Sequence, residues 1–183
     1  MENKTLYTIT VFSENTVGLL NQITIIFTRR RINIETLSVS PSAIEGIHKF
    51  TISVFSDPGT IAKVVKQIDK RVGIIKTFCN TDDGLVHREI AIYKVATDKL
   101  MQLGSIEDIL SRYNARVVEM TADYTVFSNT GHYDDTQAMF NELRNRVGVL
   151  QFVRSGRVAI TREKVERLSD MLAVMEEKAK RRL

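Results

Sequence analysis

Tryptophan is absent from the 183 residues, Cys79 is the only cysteine, and Pro41 and Pro58 are the only prolines. A single cysteine excludes an intrachain disulfide and a cysteine-rich metal site, and it fits a reducing compartment. So few prolines leave little room for open linker. No apolar run is long enough to cross a bilayer. The polar start, Met1-Glu2-Asn3-Lys4-Thr5, lacks the basic-then-apolar order of a signal peptide. The expected setting is therefore cytoplasmic, with no membrane partner. The common nucleotide-cradling loops, Gly-x-x-x-x-Gly-Lys-Ser/Thr and Gly-x-Gly-x-x-Gly, are also missing.

The charge balance excludes a further class. The formal net charge is only +4. Many cations gather at residues 29–31 and 178–182, both at expected helix ends, where they suit the negative end of the dipole. Nucleic-acid binding asks for a basic face with aromatic or polar base readers. Neither pattern is present, so no nucleic-acid partner is expected. What is present is ordinary globular material, 43% hydrophobic and 26% charged, enough for one domain or two small ones.

The apolar spacing predicts a strand over 6–12, a helix over 17–30, strands over 33–40 and 47–55, a helix following 57–60, and a strand over 72–78. Asn15 and Thr16 are cap types for the first helix, and Thr60 for the second. Asn80 to Gly84 is a run of turn formers read as a hinge over 81–85. The order then recurs: a strand over 86–96, a helix through Leu100 to Leu110 that Gly104 weakens, strands over 115–121 and 124–129, a helix over 134–146 with Ala138, Phe140 and Leu143 inward, and a strand over 147–154. From Arg162 the chain reads as a helix with one narrow stripe, Val165, Leu168, Leu172, Met175 and Ala179. The predicted fold class is α+β. Two ferredoxin-like βαββαβ domains occupy 1–80 and 86–161, and a helical tail occupies 162–183.

Catalytic and metal chemistry finds little support. His48, His87 and His132 have no short-range ligand spacing, so no metal site is expected. Cys79 reads as a small buried hydrophobe without a base to activate it. His87-Arg88-Glu89 sets three ionisable residues at a strand start, with alternation placing His87 and Glu89 on one face. That is a surface cluster or a partner contact. No catalytic constellation emerges.

The stretch 14–41 supports a binding argument instead. Gly18, beside a helix N-terminus, would let a carboxylate approach backbone N–H groups. The Asn15 amide could bond either end of an α-amino acid, and Asn33 could add a second polar group. Leu19, Ile32 and Ile34 could line a small apolar slot. The same residues also fit a plain role: Asn15 as a cap, Gly18 relieving crowding and Asn33 opening a strand.

The run Glu14-Asn15-Thr16-Val17-Gly18-Leu19-Leu20, followed by Arg31-Ile32-Asn33-Ile34-Glu35-Thr36-Leu37-Ser38-Val39-Ser40-Pro41, resembles the N-terminal ACT domain of acetolactate synthase small regulatory subunits. That family shows Glu-Asn-x-x-Gly-x-Leu and then Asn-Ile-Glu-Ser-Leu-x-Val. His87-Arg88-Glu89-Ile90 and Arg154-Ser155-Gly156 resemble the family's later motifs, so the likeness reaches about residue 162. It implies a non-catalytic chain that binds and activates the catalytic large subunit. It also implies feedback inhibition by a branched-chain amino acid, valine. The resemblance implies pairing of ACT domains as a homodimer. Asn15 and Gly18 from one chain and Asn33 from the other would then hold the effector. Thiamine diphosphate, magnesium and FAD would belong to the large subunit, with no cofactor in this chain. Thr36 stands for the commoner Ser, and Arg31 where Gly is frequent. An ACT-domain amino-acid sensor serving another enzyme or regulator is the alternative.

Overall fold

The computed structural model describes residues 4–104 and 106–162. The expected tail with Val165, Leu168, Leu172, Met175 and Ala179 lies outside these residues. Two four-stranded antiparallel sheets carry the fold. The first is built from β1 (Thr5–Glu14), β2 (Thr36–Pro41), β3 (Ile47–Ser56) and β4 (Ile74–Asn80), in the order β2-β3-β1-β4. The second contains β5 (Leu85–Ala96), β6 (Arg116–Met120), β7 (Tyr124–Gly131) and β8 (Gln151–Thr161), in the order β6-β7-β5-β8. Each sheet has helices in the βαββαβ order, so the fold is α+β with two ferredoxin-like repeats. Two compact units result. One runs up to Val86 and resumes at Ala159; the other spans His87–Val158. Asp82–Gly84 forms a 3-10 turn between β4 and β5.

In the first unit, α1 (Leu19–Arg29) and α2 (Pro58–Asp69) present Leu19, Ile23, Ile26, Phe27, Ile61, Val64 and Ile68 to the sheet. They meet Ile9, Val11, Phe50, Ile52 and Val54 of the two central strands. Each such side chain contributes about 1.5–3 kcal/mol on burial. Leu20 belongs to the predicted helix stripe but is 41% exposed, because it lies off the core-facing arc. The cap of α2 is Asp57, not Thr60. The Asp57 carboxylate accepts from the Thr60 backbone N–H at 2.8 Å, and Pro58 follows as the first helical residue. Hydrogen bonds from the Thr60 hydroxyl and then its backbone hold the Asp57 carboxyl below its usual value.

In the second unit, α3 (Thr97–Gln102) and α4 (Ile106–Arg112) replace the single predicted helix. Gly104 takes φ 70, a left-handed conformation that a continuous helix cannot hold. The third long helix, α5 (Tyr133–Arg146), buries Thr136, Met139 and Leu143. Ala138, expected inward, is exposed, and Phe140 is half-buried against Phe152 at 4.5 Å between ring centroids. Thr136 takes the core position because its hydroxyl is satisfied there, as described below.

The last strand also differs from the expected 147–154. Val147 closes α5, and β8 begins at Gln151 and continues through Arg154-Ser155-Gly156 to Thr161. Gly156 sits at φ 72 within the strand. The less exposed positions change there from even numbers, half-buried Phe152 and Arg154, to odd ones, buried Arg157 and Ala159. A positive-φ glycine that shifts strand parity is the signature of a bulge. Sequence alternation alone does not reveal such a shift.

Candidate functional site

The first strand delivers the chain into a short segment held by hydrogen bonds to its backbone groups, the Ser13 hydroxyl donating to Glu14 O at 3.0 Å. Glu14 N–H donates to the Gly73 carbonyl at 2.8 Å, and Asn15 N–H to the Gly46 carbonyl at 3.0 Å. Thr16 N–H turns back to Glu14 O at 3.0 Å, and Leu19 N–H to Thr16 O at 3.3 Å. Gly18 then occupies the N-cap position of α1 at φ 84, ψ −7. Neither Asn15 nor Thr16 caps the helix, since no side chain bonds its first turn. A Cβ on Gly18 would meet nothing within 4 Å, so the requirement for glycine is conformational rather than steric. Among the described residues, no acceptor bonds the N–H groups of Leu20 and Asn21. Asn15, Thr16, Val17 and Gly18 are all exposed. The result is an open helix N-terminus with free donors, where an anionic group is favoured.

The other sequence-expected residues lie at the far end of α1. Ile32 and Ile34 are half-buried against the first core, and Asn33 between them is exposed. The Asn33 amide donates to Glu35 Oε1 at 3.2 Å. Leu19 is 3% exposed and belongs to the core beneath the segment. Eleven helical residues at about 1.5 Å each separate Gly18 from this end by roughly 16 Å. One chain therefore holds Asn15 and Gly18 together, and Ile32, Asn33 and Ile34 together, but not both sets. Arg31 explains its own oddity. Arg31 N–H donates to Thr28 O and Ile32 N–H to Phe27 O, each at 3.0 Å, which closes α1 in a Schellman arrangement. Arg31 takes φ 54 at the position in that motif that glycine fills without strain.

Nonlocal contacts assemble groups that the sequence left apart. Glu89 is 6% exposed and accepts from the Thr136 hydroxyl at 2.6 Å. Arg154 Nη1 stands 3.5 Å from Glu89 Oε1, and its guanidinium lies 4.0 Å over the Tyr133 ring. The buried Tyr93 hydroxyl bonds Asn129 Oδ1 at 3.0 Å and Thr136 O at 2.8 Å. Burial pushes the Tyr93 phenol up, with the Arg154 charge opposing. The rings of His87 and His132, distant in sequence, approach to 4.7 Å, and the Arg88 guanidinium touches His132 Nε2. The sequence signals for this cluster were the His87-Arg88-Glu89 run at a strand start and the Arg154-Ser155-Gly156 motif, and neither revealed that the two meet. Among the described residues no three His, Cys, Asp or Glu side chains gather to hold a metal. Burial raises the Cys79 thiol to about 11, which suits a packed hydrophobe rather than a nucleophile. No helix among the described residues is long and apolar enough to cross a membrane.

Comparison with known proteins converges on one family. Residues 9–76 match a family described as the AHAS small subunit-like ACT domain, and residues 88–163 one described as the small subunit of acetolactate synthase. The acetolactate synthase small subunit of Aquifex aeolicus is 34% identical over 155 residues, covering 85% of this chain and 80% of its own length. The chain belongs to the acetolactate synthase small-subunit family. A probable small subunit from Archaeoglobus fulgidus is 31% identical over 156 residues, covering 85% of this chain and 96% of its own. The crystal structure of the Thermotoga maritima small subunit matches with a TM-score of 0.77 at 25% identity, covering 87% of this chain and 99% of that one. The motif resemblance and the double ferredoxin-like fold agree with this membership.

Proposed function

We propose that this small subunit binds the catalytic large subunit of acetolactate synthase, raises its activity and makes it sensitive to a branched-chain amino acid, valine. The observation that carries the reading is the open α1 N-terminus at Gly18, placed within the ACT-type unit of a chain that matches small subunits across both units. The effector carboxylate meets the N–H groups at the start of α1, and Asn15 bonds its ammonium or carboxylate. Asn33, with Ile32 and Ile34, closes the pocket from a second copy. The roughly 16 Å between the two sets supports a pocket shared by two chains, because one chain cannot bring them together. Leu19 supports the pocket from below. Regulation then follows from differential binding: valine favours one arrangement of the complex over another, with a coupling of about 1–3 kcal/mol. Thiamine diphosphate, magnesium and FAD are assigned to the large subunit, and the complex to the cytoplasm.

Reconstitution tests the reading. The purified chain is mixed with its large subunit and acetolactate formation is assayed with and without valine. No stimulation by the chain refutes the partnership. Gly18→Asp is expected to abolish valine inhibition while leaving activation largely intact, because the added carboxylate repels that of the ligand. Unchanged inhibition in this variant places the effector elsewhere.

A further inference from the structure

The helix-free face of the second sheet carries a feature that no role above uses. Along β5, Ala91, Tyr93 and Val95 point into the core, while Ile92 and Lys94 point the other way. The register places Lys94 opposite Val126 of β7, and Glu119 of β6 opposite the same Val126 on its other side. With strands about 4.8 Å apart, the Cα atoms of Lys94 and Glu119 stand roughly 10 Å apart astride Val126. Both long side chains lean on Tyr124, two residues along β7 on the same face. Lys94 Nζ lies 3.8 Å from the Tyr124 ring centroid. The Glu119 charge, then burial and a hydrogen bond to Glu119, raise the Tyr124 phenol, which puts the carboxylate beside the hydroxyl. Half-buried Val126 lies between them, and the apolar surface continues past Lys94 to Ile92, 40% exposed, and to Val153 on β8, 58% exposed. Together they line an open cavity of about 500 Å³, within the size range of small-molecule sites.

A cation and an anion astride one valine, with exposed aliphatic side chains beside the cation, match a small zwitterion with an aliphatic side chain. We propose that this trough is a second amino-acid site, separate from the Gly18 segment. Lys94 takes the ligand's carboxylate, Glu119 its ammonium, and Ile92, Val126 and Val153 its side chain. The Tyr124 ring holds Lys94 in place through its π face. Chemistry of this kind discriminates by charge pattern: a ligand lacking either charged group leaves Lys94 or Glu119 without its partner. The proposal does not depend on the client enzyme.

The test is a methyl NMR titration of the full chain with L-leucine and L-valine. The signals followed are those of Ile92, Val126 and Val153. Saturable shifts at these methyls are expected, and they should persist in Gly18→Asp, which separates this site from the first. Lys94→Met and Glu119→Gln are each expected to weaken binding at least tenfold with melting temperature unchanged. In the unmodified chain, 4-methylpentanoate, which lacks the ammonium, and isoamylamine, which lacks the carboxylate, should each bind at least tenfold more weakly than leucine. No shift at millimolar amino acid, or equal binding of the three ligands, overturns the proposal. So do shifts that follow protein concentration instead of ligand, which would mean that a second copy covers the face.

Discussion

The two units share a topology and use its two faces differently. In the first, the helix-facing core is hydrocarbon from strand to helix, with Ile9, Val11, Phe50, Ile52 and Val54 under α1 and α2. Its other face carries buried hydroxyls along the central strands, Thr8, Thr10, Thr51 and Ser53, beside a small apolar cluster at Phe12 and Ile47. In the second, the polar groups lie on the helix side, where Tyr93, Asn129, Thr136 and Glu89 bond one another beneath α5 and Arg154 pairs with Glu89. The opposite face exposes Ile90, Ile92 and Val153. The second helix-side core thus adds to hydrocarbon such as Val95, Phe127, Met139 and Leu143 a buried polar network that the first core lacks among the described residues. The βαββαβ order prescribes pairing and crossover, and it leaves open where polar groups are buried. The helices differ as well. The first crossover is one unbroken α1 that begins at an uncapped Gly18, and its counterpart is split at Gly104.

The largest effects come from the hydrocarbon that both cores require. Phe27→Ala in the first unit and Phe127→Ala in the second remove fully buried rings. Each is expected to destabilise its unit by about 3–5 kcal/mol in urea unfolding followed by residue-resolved probes. A much smaller cost for Phe127→Ala would mean that the polar network, not the ring, holds the second core. Arg154→Met comes next. It strands the buried Glu89, and because Arg154 keeps 22% of its side chain exposed the loss should fall near the low end for broken buried pairs, about 3 kcal/mol. Adding Glu89→Gln should restore a large part. If the double variant is no better than the single one, Arg154 acts through its stacking on Tyr133 alone.

Smaller effects sharpen the contrast at the surface. Glu142 accepts from Tyr113 and Arg146 and pairs with Arg112 at 3.0 Å. Burial opposes its ionisation, but these hydrogen bonds and charges outweigh it and lower the carboxyl below its usual 4.5. A depressed folded-state value stabilises above about 4.5 and loses that stability as pH falls through the folded value. Glu142→Gln should therefore cost about 0.5–1 kcal/mol at neutral pH. The gap to the parent should close in acid, as pH-dependent melting would show. The smallest change goes in the other direction. Arg31→Gly relieves the left-handed conformation that closes α1 and is expected to stabilise the first unit by up to about 1 kcal/mol. A loss of stability there would mean that the Arg31 side chain holds more than its backbone strain costs.

Much was legible in the chain because local physics repeats at a fixed period. The spacing of Leu19, Ile23, Ile26 and Phe27 marks α1, the alternation of β1 and β5 marks strands, and the order of elements sets the fold class. Gly18 and the run from Glu14 to Leu20 were readable as a helix start able to take an anion, and with the later motifs they pointed to the small-subunit family. Tertiary structure decided most of the rest. The Asp57 cap ahead of Pro58 is itself a local pattern, passed over in favour of Thr60, whereas the parity change at Gly156 depends on a backbone angle that composition does not carry. Thr136 is buried in place of Ala138 because Glu89, 47 residues away, supplies its partner. The sequence by itself determined the two repeats and the segment that turns at Gly18. The helix expected over 17–30 already set Gly18 apart from Asn33; only the packed fold decided that Lys94 and Glu119 flank one valine, because strand register converts sequence distance into spatial distance.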